Sequence, residues 1–261
     1  MKYGICLQTM VPVRKQPGDQ YEMTNQLLFG DLMLVNDQMK QWLLIETTDD
    51  QYSGWVDQKQ IKEIKKEEFD FQKNGGNYFA LNASYKAVSA DKKTSLRLSL
   101  GSRLPGFSDG KFTVNKVEFV YSGKFKNSKE NNKEKTVSKL ARLYLGAPYM
   151  WGGRSLFGID CSGLVQIVFK MCGILLPRDS ADQVNLGQTV SFIDDVKPGD
   201  LAFFDNEENK IIHVGILLGK NQIIHASGEV RIDQIDHFGI YNAQEKRYTH
   251  NLRIIKRLVA S

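Results

Sequence analysis

An α+β fold preceded by two small β-barrels is the architecture that this 261-residue sequence predicts. Three observations carry that reading. Residues 1 to about 123 break into short strand-like runs separated by turn residues. A polar stretch without apolar periodicity follows, over residues 126–135. Beyond it, helical patterns come first and strand-like runs later, with short connections between them.

The first barrel is expected over residues 1–68, from LLFGDLMLV, QWLLIET and SGWVD, with Gly30-Asp31 and Asp49-Asp50 at turns. The charged run KEIKKEEFD closes it, and Lys73-Asn74-Gly75-Gly76 reads as a flexible joint. The second barrel is expected over residues 75–125, from YFALNASYKAV, LRLSLGSRLPGF and KFTVNKVEFVYSG. The linker 126–135 then leads into a domain spanning 136–261. There, Thr136 or Ser138 caps a helix carrying Val137, Leu140, Ala141 and Tyr144 on one face, stopped by Gly146 and Pro148. A second helix runs from Cys161 to about Gly173. The runs LAFF, IIHVGILL, QIIHAS, EVRIDQI and LRIIKRLV follow as strands.

Composition narrows the function classes. With 41% hydrophobic and 25% charged residues, the chain reads as a soluble globular protein. No stretch approaches the ~20 apolar residues of a membrane span. The N-terminus shows no apolar signal region, so a cytoplasmic location is the expectation. The net charge of +5 is dispersed, and the densest basic run, KFKNSKENNKEK, lacks interleaved aromatics, so no nucleic-acid partner is expected. Cys6, Cys161 and Cys172 form no C-x-x-C pair. Neither a disulfide framework, a metal site nor a cofactor is expected.

Cys161 stands apart from the other two. Asp160 precedes it, Ser162 and Gly163 follow, and an apolar run begins at Leu164. That places the thiol at a helix N-terminus, whose N–H groups and dipole favour thiolate over thiol. His213 and His225 lie 12 residues apart in two strand-like runs joined by Gly219-Lys220-Asn221, so a hairpin brings them together. His213 is then positioned as a base and His225 as its support. Gly215, on the face of His213, leaves room for the sulfur-bearing helix. His237 and His250 have no apolar strand around them and read as surface residues. A single histidine on an apolar strand is ordinarily a core residue; the conjunction with Cys161 is what singles out this pair.

The blocks PYMWGGRSLFGIDCSGLVQ, LPRDSADQ, VKPGDLAFF, HVGILLG and IIHASG, in that order, resemble the NlpC-type papain-like cysteine peptidases that cleave murein peptides. The resemblance covers residues 136–261. It implies Cys161 as nucleophile, His213 as general base, His225 as the residue that orients it, and Tyr149 as a donor to the oxyanion beside the Cys161 N–H. Upstream, VPVRKQPGDQYEMTNQLLFGD is similar to the SH3-like barrel of the murein-recycling γ-D-glutamyl-L-diamino acid endopeptidases, which act on peptides with a free N-terminal L-alanine. That similarity implies Glu22 and Tyr52 as substrate-binding residues of the first barrel. Asp160, Ser162, Asp179 and Ser180 are the polar groups of the matching blocks available to an ammonium end. Each also has a plainer reading, as a helix cap or a loop carboxylate.

The resulting expectation is a metal-free and cofactor-free endopeptidase cutting L-Ala-γ-D-Glu-diamino acid peptides, through a Cys161 thiolate paired with a His213 imidazolium. The diamino acid and the oligomeric state stay open. Three rivals stand beside it: a secreted hydrolase of intact peptidoglycan, a papain-like acyltransferase or amidase on another substrate, and a binding module with an inactive catalytic domain.

Overall fold

A computed structural model describes residues 2–75, 77–130 and 133–258. These fall into two compact units, residues 2–129 with 151–156, and residues 130–150 with 157–258.

In the first unit, β1 (Lys2–Cys6), β2 (Met10–Arg14), β3 (Met23–Leu28), β4 (Leu32–Met39), β5 (Trp42–Thr47), β6 (Ser53–Asp57) and β7 (Ile61–Ile64) form one antiparallel sheet, ordered β3-β2-β6-β5-β4-β1-β7. Alternation places Val11 and Val13 of β2 inside, where they meet Cys6, Leu27, Met33, Ile45 and Val56. Fully burying a side chain of this kind stabilises the fold by roughly 1.5–3 kcal/mol. Residues expected to form a joint are instead a helix, α1 (Lys66–Gly75), which buries Phe69; Gly76 lies outside the described residues.

The rest of this unit is β8 (Tyr78–Ala80), β9 (Ser84–Ser89), β10 (Ser95–Ser99), β11 (Lys111–Val114), β12 (Val117–Val120) and β13 (Phe125–Asn127). They form a four-stranded sheet, β10-β9-β12-β11, and a pair, β13-β8. One apolar cluster joins Ile5, Phe29, Leu32 and Phe69 to Ala87, Leu98, Phe112 and Tyr121. Residues 2–75 and 77–128 therefore share a core, where the sequence suggested two bodies separated by a flexible joint. β13 occupies residues assigned to the linker, of which 131 and 132 lie outside the described residues.

Residues 151–156, which include β14 (Arg154–Ser155), also belong to this first unit, although the sequence placed them inside the 136–261 domain. Arg154 is buried; its Nη2 donates to Asp31 Oδ2 at 3.2 Å, and its N–H donates to Gln26 Oε1 at 3.1 Å.

The second unit contains α2 (Lys133–Arg142), the short strand β15 (Gly158–Ile159), α3 (Cys161–Met171) and α4 (Ser180–Gln183). Because α2 starts at Lys133, Thr136 and Ser138 lie inside it rather than capping it. All eleven residues of α3 are buried, the polar Ser162, Gln166 and Lys170 among them. The helix ends in a Schellman motif: Gly173, at φ +75°, donates to Lys170 O, and Ile174 donates to Phe169 O. The strands are β16 (Gln188–Val190), β17 (Leu201–Asp205), β18 (Ile211–Gly219), β19 (Gln222–Ser227), β20 (Glu229–Ile235), β21 (Gly239–Asn242) and β22 (Arg247–Arg257). Their order is β16-β22-β17-β18-β19-β20-β21, and β22 also pairs with β21, which closes a barrel. Among the described residues no helix is long and apolar enough to cross a membrane.

Candidate active site

The N-terminus of α3 is held by Asp160, whose Oδ1 accepts the Gly163 N–H at 2.7 Å. That carboxylate has a second partner that the sequence did not disclose. Arg178, itself buried, donates from Nη1 to Asp160 Oδ1 at 3.0 Å and to Ser162 Oγ at 2.8 Å, while Nη2 reaches Asp160 Oδ2. A bidentate guanidinium thus closes over the first turn of the helix. Asp160 and Ser162 are buried and committed to this network, in keeping with their plainer reading as helix-capping residues. Asp179 is exposed at the start of α4 and Ser180 is half-buried. Gln183 fastens α4 to α3 by donating to the Ser162 carbonyl at 3.2 Å.

Cys161 is buried, and the N–H groups of Val214 and Ser162 hydrogen-bond its sulfur. Burial, followed by the Asp160 carboxylate, pushes its thiol up to about 11 against those two N–H groups and Arg178. Desolvation thus weighs against the thiolate that the helix end favours. Tyr149 is close enough for the Cys161 and Asp160 charges to act on its hydroxyl, which burial foremost pushes up to about 12. It remains a protonated donor at neutral pH. Its backbone is pinned on one side by a bond to Gly228 O at 2.9 Å and on the other by a bridge to Ile159, two residues before Cys161.

The hairpin β18–β19 brings the histidines together as expected. His213 Nε2 lies 2.9 Å from His225 Nδ1. Burial, then His225 and His250, hold His213 well below the ordinary histidine value. At Gly215 the atoms nearest to an added Cβ belong to Ile223 and His225 across the hairpin.

Two further groups complete the cluster. His225 Nε2 is 2.9 Å from Asp233 Oδ2, and Arg231 donates to Asp233 Oδ1 at 3.0 Å. His250, read from the sequence as a surface residue, instead stacks against His213. Its strand, RYTHNLRIIKR, is half-buried through pairing with β17 and β21, which its polar sequence does not announce. The signal for Asp233 was positional: Arg231 stands opposite His225 in the ladder, and Asp233 shares that face two residues on. Among the described residues, no group of three His, Cys, Asp or Glu side chains is placed to hold a metal ion.

Glu22 and Tyr52 belong to the first unit. Glu22 Oε1 accepts the Trp151 Nε1–H at 2.8 Å, and Lys15 Nζ lies 3.6 Å from its Oε2. Tyr52, half-buried, donates its N–H to Thr47 Oγ1 at 3.0 Å.

Comparison with known proteins accords with this arrangement. The model of the NlpC/P60 family matches residues 146–253, which include Tyr149, Cys161, His213, His225, Asp233 and His250. The bacterial dipeptidyl-peptidase SH3 domain matches residues 13–61. A gamma-D-glutamyl-L-lysine dipeptidyl-peptidase of Bacillus subtilis (strain 168) is 32% identical over 216 residues, covering 77% of this chain and 71% of that protein. A protein of the same name from Bacillus cereus is 28% identical over 231 residues, covering 78% and 67%. The crystal structure of an NlpC/P60 family protein from Bacillus cereus superposes with a TM-score of 0.83 at 20% identity, covering 99% of this chain and 100% of that one.

Proposed function

The chain belongs to the NlpC/P60 family and is a cysteine peptidase, and from that premise we propose that it hydrolyses the γ-D-glutamyl–L-diamino acid bond of murein-derived peptides. The observation that carries the chemistry is the cluster around Cys161: a buried thiol met by the Val214 N–H, a protonated Tyr149, and a neutral His213 bonded to His225. The substrate class is supported by the relatives named as gamma-D-glutamyl-L-lysine dipeptidyl-peptidases and by the matching SH3 domain.

In this reading the Cys161 proton passes to His213 as sulfur attacks the γ-carbonyl of D-glutamate. The oxyanion of the tetrahedral intermediate takes hydrogen bonds from the Cys161 N–H and the Tyr149 hydroxyl. The C–N bond then breaks, and His213 gives its proton to the departing amine of the diamino acid. A water molecule, giving a proton to the same imidazole, attacks the thioester. L-Ala-D-Glu leaves and the thiol is restored. The carboxylate that meets a free alanine ammonium in this reading is Asp179, exposed at the start of α4. A recycling role puts the reaction in the cytoplasm, on free peptides. Residues 77–128 pack on the first barrel through a shared apolar core.

Mass spectrometry of a free tripeptide, a free tetrapeptide and an N-acetylmuramyl-peptide, incubated with the enzyme and with Cys161→Ala, tests this. Cleavage of the free peptides alone, abolished in the variant, is the expected result. No cleavage by the unaltered protein overturns the proposal. Equal cleavage of the muramyl-peptide removes the free-alanine requirement, and activity on intact sacculi points to the wall-hydrolase alternative.

A further inference from the structure

We propose that Asp233 is a positioning residue that, acting through His225, sets the tautomers of both imidazoles so that His213 presents a bare Nδ1 to Cys161. The inference rests on the role given to Cys161 and His213 above.

Four atoms link Asp233 to His213. Asp233 is buried, and its Oδ2 lies 2.9 Å from His225 Nε2. A carboxylate has no proton to give, so His225 Nε2 carries the hydrogen of that bond. Arg231 already balances the Asp233 charge, with Nη2 donating to Oδ1 at 3.0 Å and Nε 2.7 Å from Oδ2. His225 Nδ1 is then bare, and it faces His213 Nε2 at 2.9 Å. That bond exists only if His213 carries its proton on Nε2, which leaves Nδ1 bare.

Nδ1 is also the nitrogen on the right side of the ring. It lies toward the backbone, and the amide directly after His213, that of Val214, bonds the Cys161 sulfur. A proton on Nδ1 would turn the base into a second donor facing a thiol. The ladder makes the arrangement rigid: Arg231 is paired with His225, and Asp233 lies two residues further along the same face of β20. Burial opposes the Asp233 charge, but the bonds from His225 and Arg231 outweigh it and hold the carboxyl below its ordinary range.

The test uses the full chain and its Asp233→Asn variant. The side chain is isosteric, but its amide can donate where the carboxylate could only accept. We expect kcat to fall roughly 100-fold, the low end of what a positioned base contributes, with KM nearly unchanged. The acid limb of the kcat profile should move to lower pH, because a negative charge that favours the imidazolium has been removed. The charged or titratable groups around the pair are His225 and His250 for His213, and His225, Arg231 and His250 for Asp233. A merely structural loss would lower kcat equally at every pH.

Long-range ¹H–¹⁵N correlation spectra give a readout that needs no substrate. The unaltered chain should show both His213 and His225 protonated at Nε2, and the variant should lose that pattern at His225. A proton on Nδ1 of His213 in the unaltered chain overturns the proposal. So does a variant that keeps the parent tautomers and the parent pH profile. If Asp233→Asn fails to fold, the parent spectrum alone decides. Failure to cleave murein peptides would remove the substrate assignment without touching the tautomers.

Discussion

The rings of His250 and His213 stack with their centroids 4.2 Å apart and their planes inclined by 29°. Two imidazoles that close cannot both be charged, and each is buried enough to resist protonation. Burial and the neighbouring His225 hold His250 down to about 4, and His250 in turn helps to hold His213 low. Replacing His250 with Phe keeps a ring but removes the competing charge. The acid limb of kcat/KM in His250→Phe should therefore move to higher pH, as read from a pH–rate profile; an unmoved limb would refute the coupling.

The same two depressed groups govern acid stability. In the unfolded chain both histidines take up protons near pH 6.5, while in the folded chain they do so only at lower pH. Stability is thus fully present above pH 6.5 and is lost as pH falls from there toward about 4, the His250 value. Melting temperatures measured across that window should decline, and the decline should be shallower in His250→Phe.

A neutral thiol at rest has its own signature. With Cys161 pushed up to about 11, alkylation by iodoacetamide should accelerate steadily as pH rises through 9. A rate already on its plateau at pH 6 would instead mark a preformed thiolate–imidazolium pair. Cys6 and Cys172, 0% and 2% exposed against 6% for Cys161, should label more slowly than Cys161 in the folded protein, which peptide mapping can verify.

Arg178→Met should be among the most damaging substitutions outside the thiol–imidazole pair. It strands the buried Asp160 carboxylate, a situation that typically costs about 3–5 kcal/mol. Adding Asp160→Ser keeps a side-chain oxygen for the helix cap and removes the stranded charge. Urea unfolding should show the double variant recovering most of the loss, a coupling that a double-mutant cycle measures directly.

Gly215→Ala tests the fit of the hairpin. A Cβ there would stand 2.6 Å from Ile223 Cδ1 and 2.9 Å from His225 Cβ. The isoleucine tip can rotate away, whereas the His225 Cβ is tied to its backbone. We expect ~1–3 kcal/mol of destabilisation from overpacking. Single-turnover acylation should slow even where the folded fraction is complete, because His225 is the group displaced.

Legibility of these features in the sequence followed local chemistry. Cys161 was readable because Asp160 and the apolar run after it write a helix start into adjacent residues. His213 and His225 were readable because alternation and one turn fix a hairpin. Arg178, Asp233 and His250 were not, since each acquires its role from a partner that folding brings in. Arg178 looks like an ordinary loop cation in LPRDS until Asp160 folds against it. His250 sits in a polar strand whose burial comes from the neighbours β17 and β21. The desolvation of Cys161 was hidden for a related reason: a sequence shows the helix end but not the depth of burial. The shared core of residues 2–128 was hidden likewise, because a glycine pair and a charged run look the same in a joint and in a helix end.

The chain passes from one compact unit to the other near residue 130, back at 151, and over again after 156. Residues 151–156 bring with them Arg154, whose buried guanidinium has its carboxylate partner, Asp31, more than a hundred residues upstream. A gene fragment that starts at the apparent border near residue 136 would encode that cation without its counter-ion, and Trp151 without Glu22. Exchange of modules between proteins of this type by a single recombination point is therefore disfavoured. Residues 151–156 are thus inherited with the first unit's partners, although they lie within the stretch that encodes the second.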